Sequence, residues 1–344
     1  PTGPQRGGSD RLIKVKDRGY GESLNAALTL SMIRALSIVY LACILSSCNL
    51  ARMHDRASTN RLLRQDYRER TFTDDAGPHH VWSRDTGKEK ILLIHGYTGT
   101  GAKQWSRTAK LLRSERDAIL PDLLCHGSST ANWGFEAGGN IDAQVAHILL
   151  LLDSLHVISP IDVVGSSYGG GVAARLAELH PDRVKVLVIN DGLVSDYTAA
   201  IADSVAQNVG APNMLAVMGD SGPKGLRYGV ELALYKDPPI PGFILKQIHR
   251  ENVAPYRAAQ VTLIEDLMAN EAYFATKTYD WKMPVYLIWG DRDELIPNTT
   301  GRAILTRNGL PVDHWTTIPR TGHVPNLERP KAFVDVLRDC LKAR

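Results

Sequence analysis

The sequence predicts an α/β protein, a mainly parallel β-sheet with helices on both faces. Two patterns carry this expectation. From about residue 70 onward, apolar runs alternate with stretches of helical spacing, the order produced when crossover helices join parallel strands. The runs are also continuously apolar rather than alternating, which suits strands covered on both faces. A third observation is local. Gly165-Ser166-Ser167-Tyr168-Gly169 directly follows an apolar run at 161–164 and leads into a small-residue helix.

Taken in order, residues 70–73 and 81–83 read as a short opening hairpin. Residues 90–94 and 118–123 read as buried strands. Residues 141–155 read as a helix, because Ile141, Val145, Ile148, Leu149 and Leu152 recur at helical spacing. The strand at 161–164 is followed by a helix over 171–179 that ends before Pro181. Residues 184–190, 285–289 and 314–318 supply further strands. Residues 330–341 close the chain as a helix, with Pro330 tolerated in its first turn. The core is thus expected over 70–191 and 282–344. Residues 192–281 show no clear strand and contain the breaker cluster Pro238-Pro239-Ile240-Pro241-Gly242. An excursion of this length is usually functional, and a helical cap over the site is expected. Tyr228, Tyr235, Phe243, Tyr256, Tyr273 and Phe274 are candidates for its pocket wall or for its own core.

Composition excludes several classes. The chain has 344 residues, 44% hydrophobic and 22% charged, ample for a core. A formal net charge of +3 argues against a nucleic-acid partner. The four cysteines form no C-x-x-C pair, so neither a zinc site nor a disulfide framework is supported. Residues 1–24 are rich in Gly, Arg, Lys and Asp and read as disordered.

The N-terminal region carries an address. Arg34 precedes an apolar run over 35–45, and Ser46-Ser47-Cys48 follows. The run is short of the ~20 residues needed to span a bilayer. Leu45-Ser46-Ser47-Cys48 resembles the lipobox of a bacterial lipoprotein signal. The resemblance implies a signal peptide over 32–47, cleavage before Cys48 and lipidation of its thiol. It further implies that Met32 is the start and that residues 1–31 are an untranslated extension. With Asn49 next, the resemblance to lipoproteins favours the outer membrane of a bacterial envelope, with the lipid anchor as the membrane partner. Residues 48–69, with five arginines interrupted by acids, are expected to be a solvated tether. A chain starting near residue 68 is then expected to be soluble and active.

Acyl transfer through serine needs a nucleophile, a base, an acid that orients the base, and donors for the oxyanion. One good candidate exists for each. Ser167 stands at a sharp strand-to-helix turn, which pushes its hydroxyl out of the sheet. A turn of glycine and serine is otherwise unremarkable, so the other three parts matter. His323, in Thr321-Gly322-His323-Val324-Pro325, follows the last strand and is the base candidate. Asp293, in Gly290-Asp291-Arg292-Asp293, follows the strand at 285–289 and is the acid candidate. Asp291 is expected to fix that turn by bonding its own backbone. Asp191 also ends a strand at the same face and is a rival. His95-Gly96-Tyr97-Thr98-Gly99-Thr100-Gly101 is the oxyanion loop, with the N–H groups of Tyr97 and Tyr168 as donors. A P-loop would need Gly-Lys-Ser/Thr, which this loop lacks.

These segments together resemble the α/β-hydrolase family over about residues 70–344. The order Ser167, Asp293, His323 is that family's order. Gly290-Asp291-Arg292-Asp293 with Pro297, and Gly322-His323 with Glu328-Arg329-Pro330, are similar to its acid and base regions. Pro121-Asp122-Leu123-Leu124-Cys125-His126-Gly127 resembles its loop after the fourth strand, except that Cys125 stands where glycine is usual. The resemblance implies an esterase- or lipase-like serine hydrolase of a small-molecule acyl substrate, needing no metal or organic cofactor. Carbon–carbon bond hydrolysis, acyl transfer, and a binding module with an inactive hydrolase fold are the alternatives.

Overall fold

The computed structural model of the chain describes residue 3 and residues 49–129, 140–220 and 222–342. The signal segment and Cys48 lie outside the described residues. An eight-stranded sheet forms the centre. Its strands are β1 (Arg68–Asp74), β2 (Gly77–Ser83), β3 (Glu89–Ile94), β4 (Arg116–Pro121), β5 (Ile161–Ser166), β6 (Val184–Asn190), β7 (Val285–Gly290) and β8 (Trp315–Ile318). Their spatial order is β1-β2-β4-β3-β5-β6-β7-β8. β1 pairs antiparallel with β2, and β2 with β4. From β4 to β8 every pairing is parallel. The fold is therefore the expected α/β architecture.

Helices α1 (Leu50–Leu63), α2 (Gly101–Leu112), α3 (Asn140–Ser154) and α4 (Tyr168–Leu179) come first. Helices α5 (Ala199–Asn208), α6 (Gly222–Ala233), α7 (Gly242–Ile248), α8 (Arg257–Ala269) and α9 (Glu271–Ala275) lie between β6 and β7. Helices α10 (Asn298–Arg307), α11 (Pro325–Glu328) and α12 (Pro330–Lys342) follow. No strand interrupts α5 to α9 among the described residues.

The continuous apolar runs feed two cores at once. In β3, Leu92 and Ile94 join a cluster with Ile148 and Val172 of α3 and α4. Ile91 and Leu93, pointing the other way, join Trp105 of α2 and Phe333 and Leu337 of α12. The pleat sends alternate side chains to opposite faces, so both faces need apolar cover. Trp105 and Phe333 are fully buried with ring centroids 5.9 Å apart. Burying side chains of this size contributes about 1.5–3 kcal/mol each.

The N-terminal segment departs from expectation. The stretch read as a solvated tether is helical over α1, which packs on α2 and on α7. Leu62 is fully buried, and Tyr67 is 2% exposed with its hydroxyl accepting from Ala118 N–H at 3.3 Å. Arg61 donates to Ser106 Oγ at 2.8 Å. Leu50 N–H donates to Gln247 Oε1 at 2.9 Å, and Arg52 pairs with Glu251 at 2.6 Å. The arginines that suggested a solvated linker thus include two that tie the helix to its neighbours.

Candidate active site

β5 ends at Ser166 and α4 begins at Tyr168, leaving Ser167 to make the turn alone. Ser167 has φ 55° and ψ −124°, a conformation that L-residues avoid and that marks strained functional turns. Two glycines make the turn sterically possible. A Cβ on Gly165 would lie 2.2 Å from Gly169 O, and one on Gly169 would lie 2.3 Å from His95 O. The Ser167 carbonyl accepts from Gly170 N–H at 2.8 Å and from Leu193 N–H at 2.9 Å. Ser166 is fully buried, and its Oγ accepts from Asn190 Nδ2 at 3.0 Å. Ser167 is half-buried and lines a cavity of about 270 Å³.

His323 lines the same cavity. Its Nδ1–H donates to Asp293 Oδ2 at 2.9 Å. Its Nε2 is buried and has no hydrogen-bond partner. Asp293 Oδ1 accepts from Leu295 N–H at 3.0 Å and Ile296 N–H at 2.9 Å. These donors lock the carboxylate toward the imidazole. Asp291 acts differently from expectation: its Oδ1 accepts from Thr321 N–H at 3.2 Å. It fastens the base loop to the acid turn rather than bonding its own backbone. The excursion also holds this loop, because His323 N–H donates to Ala233 O at 2.8 Å. Glu328 accepts from Gly322 N–H at 2.6 Å and from Tyr235 N–H at 2.9 Å. Burial pushes the Glu328 carboxyl above its ordinary range, against those two donors.

The rival acid is present too. Asp191 is fully buried, and one carboxyl oxygen each of Asp191 and Asp293 and one ring nitrogen of His323 lie within 4.8 Å of one another. Burial first, and the neighbouring Asp293 second, hold its proton well above the usual carboxylate range.

The glycine loop faces Ser167. A Cβ on Gly96 would lie 2.9 Å from Ser167 Cβ. Gly96 N–H donates to Gln104 Oε1 at 2.8 Å, a partner that motif reading missed because it lies on α2. His95 is buried, and its Nε2 accepts from Leu123 N–H at 2.9 Å. Its proton is therefore on Nδ1, which donates to Gly96 O at 2.7 Å. Burial lowers the His95 pKa and keeps the ring neutral. Tyr97 comes next in this loop, and Tyr168 is the first residue of α4, where N–H groups have no intrahelical partner. Cys125 has φ 66°, which explains why glycine is usual there. Burial pushes its thiol up to about 11.

Apart from Tyr97 and His323, the apolar wall of the cavity is aliphatic and small, with none of the aromatic candidates of the excursion. Val217, Leu226, Gly229 and Val230 line it, and Arg257 adds a cation. Phe274 lines a separate apolar cavity of about 120 Å³, while Tyr235, Phe243 and Tyr273 are exposed.

An elbow serine, a carboxylate-bound histidine and a glycine loop, at the ends of parallel strands, define a hydrolase of the α/β class. The chain belongs to the alpha/beta hydrolase family, whose model matches residues 91–336. It is similar to Lipase 3 of Moraxella sp. (strain TA144), 25% identical over 287 residues, 81% of this chain and 87% of that protein. It is also 28% identical over 251 residues to 2-hydroxymuconate semialdehyde hydrolase of Pseudomonas sp. (strain CF600), 69% of this chain and 84% of that protein. Among solved structures, a bacterial membrane phospholipase A shares the fold with a TM-score of 0.69. Identity there is 18%, covering 93% of this chain and 98% of that one.

Proposed function

We propose that this protein is a serine esterase that cleaves carboxylic esters through an acyl-enzyme. Ser167 Oγ attacks the acyl carbon while His323 Nε2 takes its proton. Asp293 orients the imidazolium and offsets its charge. The N–H groups of Tyr97 and Tyr168 hold the oxyanion. The protonated His323 then gives its proton to the departing alcohol. Water, deprotonated by His323, attacks the acyl carbon and releases the acid with Ser167 restored.

One observation carries this reading. His323 has committed Nδ1 to Asp293 and leaves a buried, unpartnered Nε2 in the cavity that Ser167 lines. Such hydrogen bonds commonly tighten only when substrate binds. The lipase relative at 25% identity supports the ester as substrate. Hydrolysis of p-nitrophenyl esters of increasing acyl length tests it. Ser167→Ala is expected to lose on the order of 10⁴-fold or more in turnover, whereas Ser166→Ala retains most activity. Equal losses would place the nucleophile elsewhere.

Carbon–carbon bond hydrolysis on the same triad is the second reading. The 28% identical relative supports it. Faster turnover of 2-hydroxymuconate semialdehyde than of any simple ester would favour it.

We also propose that Cys48 carries a lipid anchor in a bacterial outer membrane, from the Leu45-Ser46-Ser47-Cys48 pattern. No helix of the described residues is long and apolar enough to cross a membrane. Incorporation of a fatty-acid analogue into the wild type and not into Cys48→Ser is the expected result. An unlabelled wild type would contradict it.

A further inference from the structure

Asp191 follows the last residue of β6 with φ 46°, a left-handed conformation uncommon for a residue other than glycine. Its N–H donates to Ile288 O at 3.0 Å, which sets the end of β6 against β7. Asp191 Oδ1 accepts from Gly290 N–H at 2.7 Å. Asp191 Oδ2 is buried and receives no N–H donor, and a side-chain hydrogen bond links Asp191 to Asp293. Asp293, by contrast, receives two backbone N–H groups and the His323 Nδ1–H. Two buried carboxyl groups within 4.8 Å do not both ionise readily. The three donors on Asp293 place the charge there, and the single donor on Asp191 leaves the proton on Asp191. Glu328 adds to the negative surroundings and favours the same protonation.

We propose that Asp191 is a second acid of this relay, a positioning residue that holds a proton beside the Asp293–His323 pair and becomes the anion orienting His323 when Asp293 is neutralised. The inference rests on the serine hydrolase reading. The charge balances: in Asp293→Asn the Asp191 proton is released to solvent, and the site keeps one negative charge facing His323.

A double-mutant cycle with two further readouts tests this. Asp191→Asn supplies an amide donor in place of the acid O–H and is expected to lose about 3-fold in kcat/KM. Asp293→Asn is expected to lose about 10²-fold, short of the ~10⁴-fold that removing the orienting acid costs elsewhere. Adding Asp191→Asn to Asp293→Asn is expected to cost a further ~10²-fold. The pH profile of Asp293→Asn should gain one ionisation, with activity rising as Asp191 loses its proton in the field of His323 and Glu328. Proton NMR should show a downfield imidazole N–H in the wild type that persists in Asp293→Asn and vanishes in the double variant. If the double variant does not fold, the spectrum and pH profile of Asp293→Asn decide. The proposal is overturned if Asp293→Asn sits at the level of Ser167→Ala, lacks the downfield signal and shows no added ionisation. The NMR signal reports on the acid pair without turnover, so failure of the hydrolase reading, seen as a wild type inert to fluorophosphonate, is a separate result.

Discussion

Gly96 faces Ser167, and its missing side chain leaves room for the nucleophile. The added methyl of Gly96→Ala would lie 2.9 Å from Ser167 Cβ and 3.5 Å from its Oγ. One of the two must shift. A displacement approaching 1 Å at the reacting centre costs about 10²-fold in rate. Gly96→Ala should therefore lower kcat/KM by about that factor, while its circular dichroism spectrum stays that of the wild type. Unchanged kinetics would contradict this placement of the loop. The residues at the site were legible to different degrees. Ser167, Asp293 and His323 could be located because each ends a strand in a short, recognisable turn. The nearness of Asp191 was not legible. It depends on β6 lying beside β7, with Asn190 opposite Ile288, and strand order is not written in either segment. The donor from Gln104 was hidden for the same reason, since α2 approaches the loop only in the folded chain.

At the scale of elements, α1 is the largest departure from the sequence reading. It has few apolar residues, and its anchors are Leu62 and a set of polar ties to α2 and the excursion. A periodicity search finds apolar stripes, so a helix docked by charges and one leucine reads as linker. The strands, by contrast, announced themselves through unbroken apolar runs that serve both cores. The docking has a measurable consequence. Leu62→Ala should destabilise the fold by about 2–5 kcal/mol, the range for a buried leucine, read from urea unfolding. A chain starting at residue 68 loses all of α1 and uncovers the α2 surface on which it packs. It should unfold at lower denaturant than the chain starting at residue 49. Equal midpoints would return α1 to the status of a tether.

At the scale of the whole molecule, buried histidines make the fold acid-sensitive. Burial lowers His126 and His147 to about 3, and His95 shifts the same way. All three are neutral in the folded state near pH 7 and become cationic near 6.5 when unfolded. The unfolded chain therefore binds more protons between pH 6.5 and about 3, so stability falls as pH drops through that window. The slope is up to about 1.4 kcal/mol per pH unit for each histidine. His80 opposes this only at higher pH. Burial lowers it, but Asp122 and Glu69 outweigh burial and raise it, so its contribution is full below 6.5 and is lost above. Thermal midpoints measured from pH 7.5 to 4 should decline through the acid half of that range. A flat profile would show that these rings are protonated in the native state.

The central claim is that Ser167 is a nucleophile activated by His323. It is tested most directly by reacting the protein with a fluorophosphonate and mapping the adduct by mass spectrometry. One adduct is expected, on the peptide containing Ser167, in the wild type and in Ser166→Ala. Ser167→Ala should give none, and His323→Ala should react far more slowly. A wild type that stays unlabelled, or an adduct on any other residue, would contradict the account.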